Sequence, residues 1–439
     1  MTAKRIVLAT FGTHGDVNPF ISLGLRLRDL GLDPLIAAWP DYEAKVSAAG
    51  LAFHAVRPSL AQVRADLKLD ERALFRRAMA DPAFVFRDIS MPYLRVSYED
   101  ILGALPGAAL VLTSSLAFST RLAAEKLGIP QIGVVLQPSL LQSGYDPPLV
   151  VNAPRYSAFM RSLGPRVTRP AVRLLNKMTA HWVAPVKKFR RELGLPPDPR
   201  NPIFEGQYSR DGVLAMYSPL LGGLQPDHPP GAVITGFTFY DDDPEDDPAT
   251  RAALAEFLGE GPPPIAFVLG SSAHVAADDF FEVSREVAEA SGRRAVLVAG
   301  AAAGEGAQRS ANVLVCRYAP YSRFFPSAAA VVHQGGIGTL AQALRAGRPQ
   351  IVVPFHGDQL DNGARAERLG VARVILRRRY RKQHLIGELA KLLGEPGYAD
   401  ASAKVGEQVQ REDGAGVAAA VVMRVLRGYT GDHSREGTS

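Results

Sequence analysis

The sequence predicts an α/β protein built from two doubly wound, parallel-sheet domains that face each other across a cleft. Three observations predict it. Short apolar runs, such as those at 5–10, 109–113, 264–269 and 328–332, alternate with helical stretches in both halves of the chain. Runs that are apolar throughout fit strands buried on both faces, as in parallel sheets covered by helices. Between the halves, residues 225–250 contain QPDHPPG and DDDPEDDPA, a proline and acid density that fits an exposed connection.

The elements follow in order. Residues 5–10 read as a strand and 19–30 as an amphipathic helix closed by Gly31. Residues 34–38 read as a second strand and 41–49 as a helix ended by Gly50. A strand at 109–113, a helix at 118–127 and a strand at 131–136 complete the first alternation. The second half restarts it, with strands at 264–269 and 294–299 and a helix at 278–290. Further strands are expected at 313–315, 328–332 and 350–354, a helix at 340–346, and a last helix at 417–427 ended by Gly428. The expected division is 1–224 for an N-terminal domain, 225–250 for a linker and 251–415 for a C-terminal domain. Residues 416–439 would form the terminal helix and a disordered tail. Two insertions, 60–104 and 138–193, carry apolar, aromatic and methionine side chains at helical spacing. They read either as core or as an apolar pocket above the strand ends.

Composition narrows the function. Of 439 residues, 47% are hydrophobic and 21% charged, ordinary for a soluble chain able to bury a full core. The single cysteine, Cys316, excludes an internal disulfide and fits a reducing compartment. No apolar signal region opens the chain, and no run of about 18 apolar residues predicts a span. A cytoplasmic protein is expected. The net charge is +6. Two basic clusters stand out: Lys187, Lys188, Arg190 and Arg191, and then Arg377, Arg378, Arg379, Arg381 and Lys382. They read as solvated faces or as peripheral contacts with the inner face of an anionic membrane. Aromatics barely interleave with them, which speaks against nucleic acid.

The chemistry concentrates in 333–363, HQGGIGTLAQALRAGRPQIVVPFHGDQLDNG. A buried strand, then Gly335, Gly336 and Gly338, then a helix is the order that builds an anion site. Glycine lets backbone approach a ligand, and a helix N-terminus offers unpaired N–H groups and a positive dipole end. A following strand delivers Asp358 and Gln359, an acceptor and a donor suited to sugar hydroxyls. Together they predict a nucleotide-sugar site.

Five segments occur in an order that resembles the family 1 glycosyltransferases of GT-B fold: FGTHGDVNPF, GSS at 270–272, YAP at 318–320, HQGGIGT at 333–339 and PFHGDQLDN at 354–362. The likeness covers nearly the whole chain. It runs nearest to bacterial rhamnosyltransferases of the rhamnolipid type, through GDV-x-PF, GSS-x-H and GGIG, and further out to macrolide, glycopeptide, carotenoid and sterol enzymes. The resemblance implies an inverting hexosyltransferase without metal or cofactor, its nucleoside diphosphate sugar being a co-substrate and its acceptor an apolar molecule bearing a hydroxyl. It aligns Asp16 with the catalytic base. An acceptor hydroxyl must lose its proton as it attacks the anomeric carbon, and a carboxylate in reach can take it. Asp16 equally reads as the cap of a helix starting near Val17. His14 is the second candidate base, or a turn residue that orients its neighbours.

For the donor, the resemblance implies contacts from Thr13, Ser271, Ser272 and His274, and from Tyr318 around the base. His333 with Gly335, Gly336, Ile337, Gly338 and Thr339 would hold the diphosphate, and Asp358 with Gln359 the sugar. Each has a plain structural alternative: a small-residue turn for the serines, packing for Tyr318 and His333, a helix cap for Asp358. Plant relatives carry a ribose-binding glutamate where this chain has Ala341, which fits a deoxyribose donor such as a dTDP-sugar. A nicotinamide oxidoreductase is disfavoured, because the first turn lacks the glycine triplet and strand two ends in Trp39-Pro40. A sugar-nucleotide epimerase would not need an apolar acceptor pocket, and Asp16 argues against a silent binder. The histidines do not fall at metal-ligand spacings.

Overall fold

Apolar strands and amphipathic helices alternate through both halves of the computed structural model, which describes residues 3–241, 247–270, 277, 279–304 and 306–432. The first half runs β1 (Arg5–Ala9), α1 (His14–Asp29), β2 (Asp33–Ala38), α2 (Glu43–Ala48) and β3 (Ala52–Ala55). An insertion follows: α3 (Leu60–Leu67), α4 (Glu71–Ala80), a wide helical turn at Val85–Ser90 and α5 (Leu94–Leu102). Next come β4 (Ala108–Thr113), α6 (Phe118–Lys126) and β5 (Gln131–Val135). A second insertion holds α7 (Pro154–Ser162), α8 (Pro165–Thr179) and α9 (Ala184–Glu192), before β6 (Val213–Ala215) and β7 (Ala232–Ile234).

The second half runs α10 (Pro248–Gly259), β8 (Ile265–Val268), α11 (Phe280–Ser291), β9 (Ala295–Val298), β10 (Gln308–Arg309) and β11 (Val313–Cys316). It continues with α12 (Tyr321–Phe324), β12 (Ala330–His333), α13 (Ile337–Arg345), β13 (Gln350–Val352), α14 (Gln359–Arg368) and β14 (Ala372–Val374). Three helices close the chain: α15 (Lys382–Gly394), α16 (Pro396–Gln410) and α17 (Gly414–Asp432).

Each half forms a seven-stranded sheet. The first has the order β3-β2-β1-β4-β5-β6-β7, all parallel. The second has β10-β11-β9-β8-β12-β13-β14, with only β10 antiparallel. Strand order reverses between β1 and β4 in one sheet and between β8 and β12 in the other. Crevices open at the carboxyl ends of strands at such reversals, so the loops after β1, β8 and β12 are where a ligand belongs. The fold expected from sequence is the fold observed.

Several boundaries differ. Helix α1 starts at His14, five residues before the expected start; Pro19, read as a first-turn proline, lies inside it. The short strands β6 and β7 have three residues each, too few to show a period, and both escaped the sequence reading. Strand β7 falls inside 225–250, so that span is not simply a linker. Its QPDHPPG part joins β6 to β7 and is tied down, with Ser143 Oγ and the Gly144 N–H donating to Asp227 at 2.5 and 2.9 Å. The last helix also changes allegiance. Ala418, Ala419, Val422 and Leu426 pack with Ile6, Leu8, Phe20 and Leu27 in the core of the first sheet. Residues 433–439, expected as a disordered tail, lie outside the described residues. No helix among the described residues is long and apolar enough to cross a membrane.

The basic clusters are partly structural. Arg190 forks onto the Glu125 carboxylate, with Nη1 at 2.6 Å from Oε2. Arg377 pairs with Asp279, and Tyr380, amid the second cluster, is buried.

Candidate active site

The loop after β1 is built around Asp16. Thr13 is the N-cap of α1, and Asp16 is the third helical residue. The Thr13 N–H donates to Asp16 Oδ2 at 2.7 Å and the Thr13 hydroxyl to the same oxygen at 3.1 Å. Thr10 Oγ1 donates to the Asp16 carbonyl at 3.0 Å. This is the carboxylate half of a capping box, which fixes the side chain at the positive end of the helix. The cap is therefore Thr13, not Asp16 as the sequence alternative had it. Gly12 is required here twice over: its φ is +138°, and a Cβ would come within 2.3 Å of Asp16 Oδ2. Burial raises the Asp16 pKa, and the bonds from Thr13 oppose that rise.

His14 lies beside the carboxylate turn. Its ring meets Tyr42 edge-on with centroids 5.2 Å apart, and its Nδ1 is 3.4 Å from Nζ of the buried Lys45. Tyr42 donates its hydroxyl to the Gly12 carbonyl at 2.9 Å, bracing the same turn. Nothing in the sequence singled out Tyr42 or Lys45, which reach the loop from the helical segments that follow β2.

Gly12, Thr13 and His14 form one wall of a cavity of about 300 Å³. Its other walls are mainly apolar and come from the first insertion: Leu60, Val63, Leu74, Phe75, Ile89, Tyr93 and Leu94, with Trp39 and Phe118. The insertion thus answers both sequence readings at once, since Val63, Leu74, Ile89 and Tyr93 are buried core residues and cavity walls together.

The loop after β12 carries the second half of the site. Gly335 has φ +92°, and a Cβ there would meet Val352 Cγ1 at 2.6 Å and the Gln359 carbonyl at 2.8 Å. Gly336 caps α13, whose first turn holds Ile337, Gly338 and the buried Thr339 and no acidic residue. The N–H groups of that turn have no partners within the helix. Gly338 has open space where its Cβ would stand. The end of β8 lies against this loop: a Cβ on Gly270 would come within 2.4 Å of Gln334 Nε2 and 4.0 Å of Thr339 Oγ1. Ser271, Ser272 and His274 lie outside the described residues.

His333 departs from the sequence expectation. It is fully buried, and both ring nitrogens are engaged: Nδ1 accepts from the Gly335 N–H at 3.0 Å and Nε2 sits 2.8 Å from Gln350 Oε1. Accepting at Nδ1 puts the proton on Nε2, so the ring is neutral, and burial lowers its pKa to about 4. As placed, His333 shapes the loop and has no N–H left to offer a diphosphate. The Thr13 N–H and hydroxyl both serve Asp16, so Thr13 positions the carboxylate.

Asp358 stands at the N-cap of α14 but makes no capping bond. Instead Asn362 Nδ2 donates to Asp358 Oδ2 at 2.5 Å and to the Gly335 carbonyl at 3.0 Å, tying the Asp358 turn to the glycine loop. Gln359 Oε1 accepts from the N–H groups of Phe355 and His356 at 2.8 and 3.1 Å, leaving its amide nitrogen as the group to offer. Burial raises the Asp358 pKa to about 6, and the negative charge of Asp16 adds to the rise. The two carboxylates, one from each sheet, are therefore within electrostatic reach of each other. Tyr318 follows β11 at the same carboxyl edge and is half-buried.

The sheets are also bolted together beside the site. Buried Arg365 of α14 bridges Asp361 at 2.6 Å and Asp146 at 2.5 Å, and donates to the Leu221 carbonyl at 2.9 Å. The Leu149 N–H donates to Asp361 Oδ1 at 3.0 Å. Sequence reading missed Asn362, Gln334 and this network. Their one signal was a place inside the motifs, at HQGG and DQLDN. Among the described residues, no group of three or more His, Cys, Asp or Glu gathers as a metal site.

Comparison with known proteins fits this geometry. Residues 295–422 match the family described as erythromycin biosynthesis protein CIII-like, C-terminal domain. The vancomycin aglycone glucosyltransferase of Amycolatopsis orientalis is 32% identical over 424 residues, covering 95% of this chain and 97% of the relative. The chain is a family 1 GT-B glycosyltransferase. A second relative, the O-mycaminosyltylonolide 6-deoxyallosyltransferase of Streptomyces fradiae, is 30% identical over 93% of this glycosyltransferase and 94% of its own length. Among solved structures, the glycosyltransferase SsfS6 of Streptomyces sp. SF2575, complexed with thymidine diphosphate, superposes with a TM-score of 0.63 at 19% identity, covering 96% of this chain and 99% of that one. The glycosyltransferase therefore groups with enzymes of natural-product biosynthesis. Neither curated relative named here is of the rhamnolipid type.

Proposed function

We propose that this glycosyltransferase moves a hexose, a 6-deoxyhexose such as rhamnose first among candidates, from a dTDP-type donor to a hydroxyl of a small apolar acceptor, with inversion. The single observation that carries the reading is the placement of two half-buried carboxylates at facing carboxyl edges, Asp16 beside an apolar cavity and Asp358 beside a glycine loop. Asp16 takes the acceptor proton as the acceptor oxygen attacks the anomeric carbon. The bond from that carbon to the diphosphate breaks in the same displacement. The departing diphosphate gains negative charge, which the N–H groups and dipole of α13 stabilise. Asp358 and the Gln359 amide hold the sugar hydroxyls. A site built to pair with hydroxyls penalises a donor lacking them.

The dTDP-type nucleotide is supported by Ala341, which leaves out a ribose contact, and the 6-deoxyhexose by the Streptomyces fradiae relative, whose name specifies one. UDP-glucose-dependent transfer to a polyketide is the second reading, favoured by the glucosyltransferase relative. Thermal stabilisation by dTDP, UDP, GDP and NADH in parallel tests both, since a ligand of the folded state raises the melting temperature by mass action. A dTDP preference is expected. A UDP preference selects the glucosyl reading, and a response to NADH alone ends both.

A further inference from the structure

Helix α8 is packed inside out. The side chains it buries are polar: Thr168, Asn176 and Thr179. They fasten it to the body by hydrogen bonds. Thr168 Oγ1 donates to the carbonyls of Gly144 and Gly164, and Asn176 Nδ2 donates to Glu205 at 2.7 Å. Asn201 Nδ2 donates to the Asn176 carbonyl at 2.7 Å and to Thr179 Oγ1 at 3.2 Å. The apolar side chains point the other way. Leu174 is 58% exposed and Met178 62%, with Val167 and Leu175 beside them. On α7, Tyr156 is 65% exposed and Phe159 60%. A surface helix ordinarily turns its apolar stripe to the core, and a contiguous exposed apolar patch marks a docking site.

Charge says what docks. From 154 to 179, the span of α7 and α8, the chain has six lysines and arginines and no aspartate or glutamate. On α8, Arg166, Arg169, Arg173 and Lys177 recur at three- and four-residue spacing, a basic stripe beside the apolar one. Arg169 turns towards Asp227, 3.8 Å away, while Arg166, Arg173 and Lys177 stand exposed. An apolar stripe flanked by basic residues is the pattern of a helix that lies in the interface plane of a bilayer. Long basic side chains reach up to the headgroups while leucine and methionine enter the acyl boundary.

We propose that α7 and α8 form a docking surface for an anionic lipid bilayer. A second copy of this chain fits less well, because a two-fold contact would set the basic stripe against itself. The surface differs from the two basic clusters that drew attention in the sequence. It also adjoins the acceptor side of the molecule. Trp182, just past α8, stacks on Phe86 with centroids 6.0 Å apart, and Val85, next to Phe86, lines the cavity. If the proposed transfer to an apolar acceptor holds, docking here would bring the cavity to the phase where such acceptors collect; the lipid contact itself does not depend on that reading.

Vesicle flotation of the full chain tests it, with phosphatidylglycerol vesicles against phosphatidylcholine vesicles at low and high salt. Binding to phosphatidylglycerol should be at least about tenfold stronger and should weaken with salt. The pair Leu174→Glu with Met178→Glu, and the triple Arg166→Gln, Arg173→Gln and Lys177→Gln, should each lower it by at least about tenfold. All five positions are exposed, so melting temperature and nucleotide-induced stabilisation should stay at wild-type values, separating loss of docking from misfolding. Absence of vesicle binding, or equal binding by wild type and variants, overturns the proposal. So does self-association that Leu174→Glu with Met178→Glu abolishes while vesicles stay unbound, which would make the face a subunit interface. Binding to polyglutamate without binding to vesicles would assign it to an acidic protein and overturn the proposal as well.

Discussion

The two strand-to-helix turns of the site share one plan and differ in one charge. Each leaves its sheet at the reversal of strand order, passes a glycine of positive φ, and opens a helix. In the first, Asp16 fills the helix N-terminus with the protein's own carboxylate. In the second, the first turn of α13 has no acidic side chain. A helix N-terminus attracts an anion in either case. Supplied from within, the anion is a fixed carboxylate beside the apolar cavity. Left to the ligand, the helix end stays open to an anion from outside. One residue type at one helical position separates a filled helix N-terminus from an open one.

The largest effect should come from breaking the first turn. Asp16→Asn keeps the size and the acceptor for the Thr13 N–H but cannot take a proton. Turnover should fall by about two orders of magnitude or more, with nucleotide-induced stabilisation unchanged. The cost in stability should be about 1 kcal/mol or less. Near-normal transfer would move the base to His14.

The second turn is broken at Gly335. Gly335→Ala forces a side chain onto φ +92° and into Val352 and the Gln359 carbonyl. A stability loss of about 1–3 kcal/mol is expected, with weakened dTDP binding in titrations. Gly338→Ala is the control: nothing stands within 4 Å of its Cβ, so stability should change by no more than about 0.5 kcal/mol. Equal stability losses in both variants would mean that the turn is not held as tightly as the contacts around Gly335 indicate.

This contrast also marks what could be read from sequence. The glycine loop at 335–338 was legible because backbone conformation and close approach leave glycine little competition. Asp16 and Asp358 were legible as positions, since each follows an apolar strand and a turn. What their neighbours do was not. Thr13 serves the carboxylate, His333 spends both nitrogens on the fold, and Asn362 joins two loops 27 residues apart, all facts of tertiary placement. Strand β7 hid behind prolines because three residues carry no period. Helix α8 shows the limit most plainly: periodicity gives an apolar face but not the direction it points.

The facing carboxylates allow a smaller test. Burial lifts Asp358 from 3.8 to about 6, with Asp16 adding repulsion. A carboxyl whose folded pKa is raised contributes stability below its unfolded pKa and loses that contribution as pH rises through the folded value. The wild type should therefore lose stability between about pH 4 and 6 relative to Asp358→Asn. Above that window the variant should be more stable by about 3 kcal/mol at most, while its KM for the donor rises. A variant with the wild-type pH dependence of melting would place the strain elsewhere.

The smallest effect separates two roles for His333. If its work is to accept from the Gly335 N–H, Asn at this position can keep that bond, and Ala cannot. His333→Asn should then change dTDP affinity by less than about threefold, and His333→Ala by about tenfold, one lost bond with a loosened loop. Direct contact with the diphosphate would make both variants equally weak. The acid side gives an independent reading. Burial holds the ring's pKa near 4, below its ordinary 6.5, so the neutral ring stabilises the fold above that ordinary value. That contribution drains away as pH falls towards 4, and His333→Asn should remove this part of the acid sensitivity while leaving the loop in place.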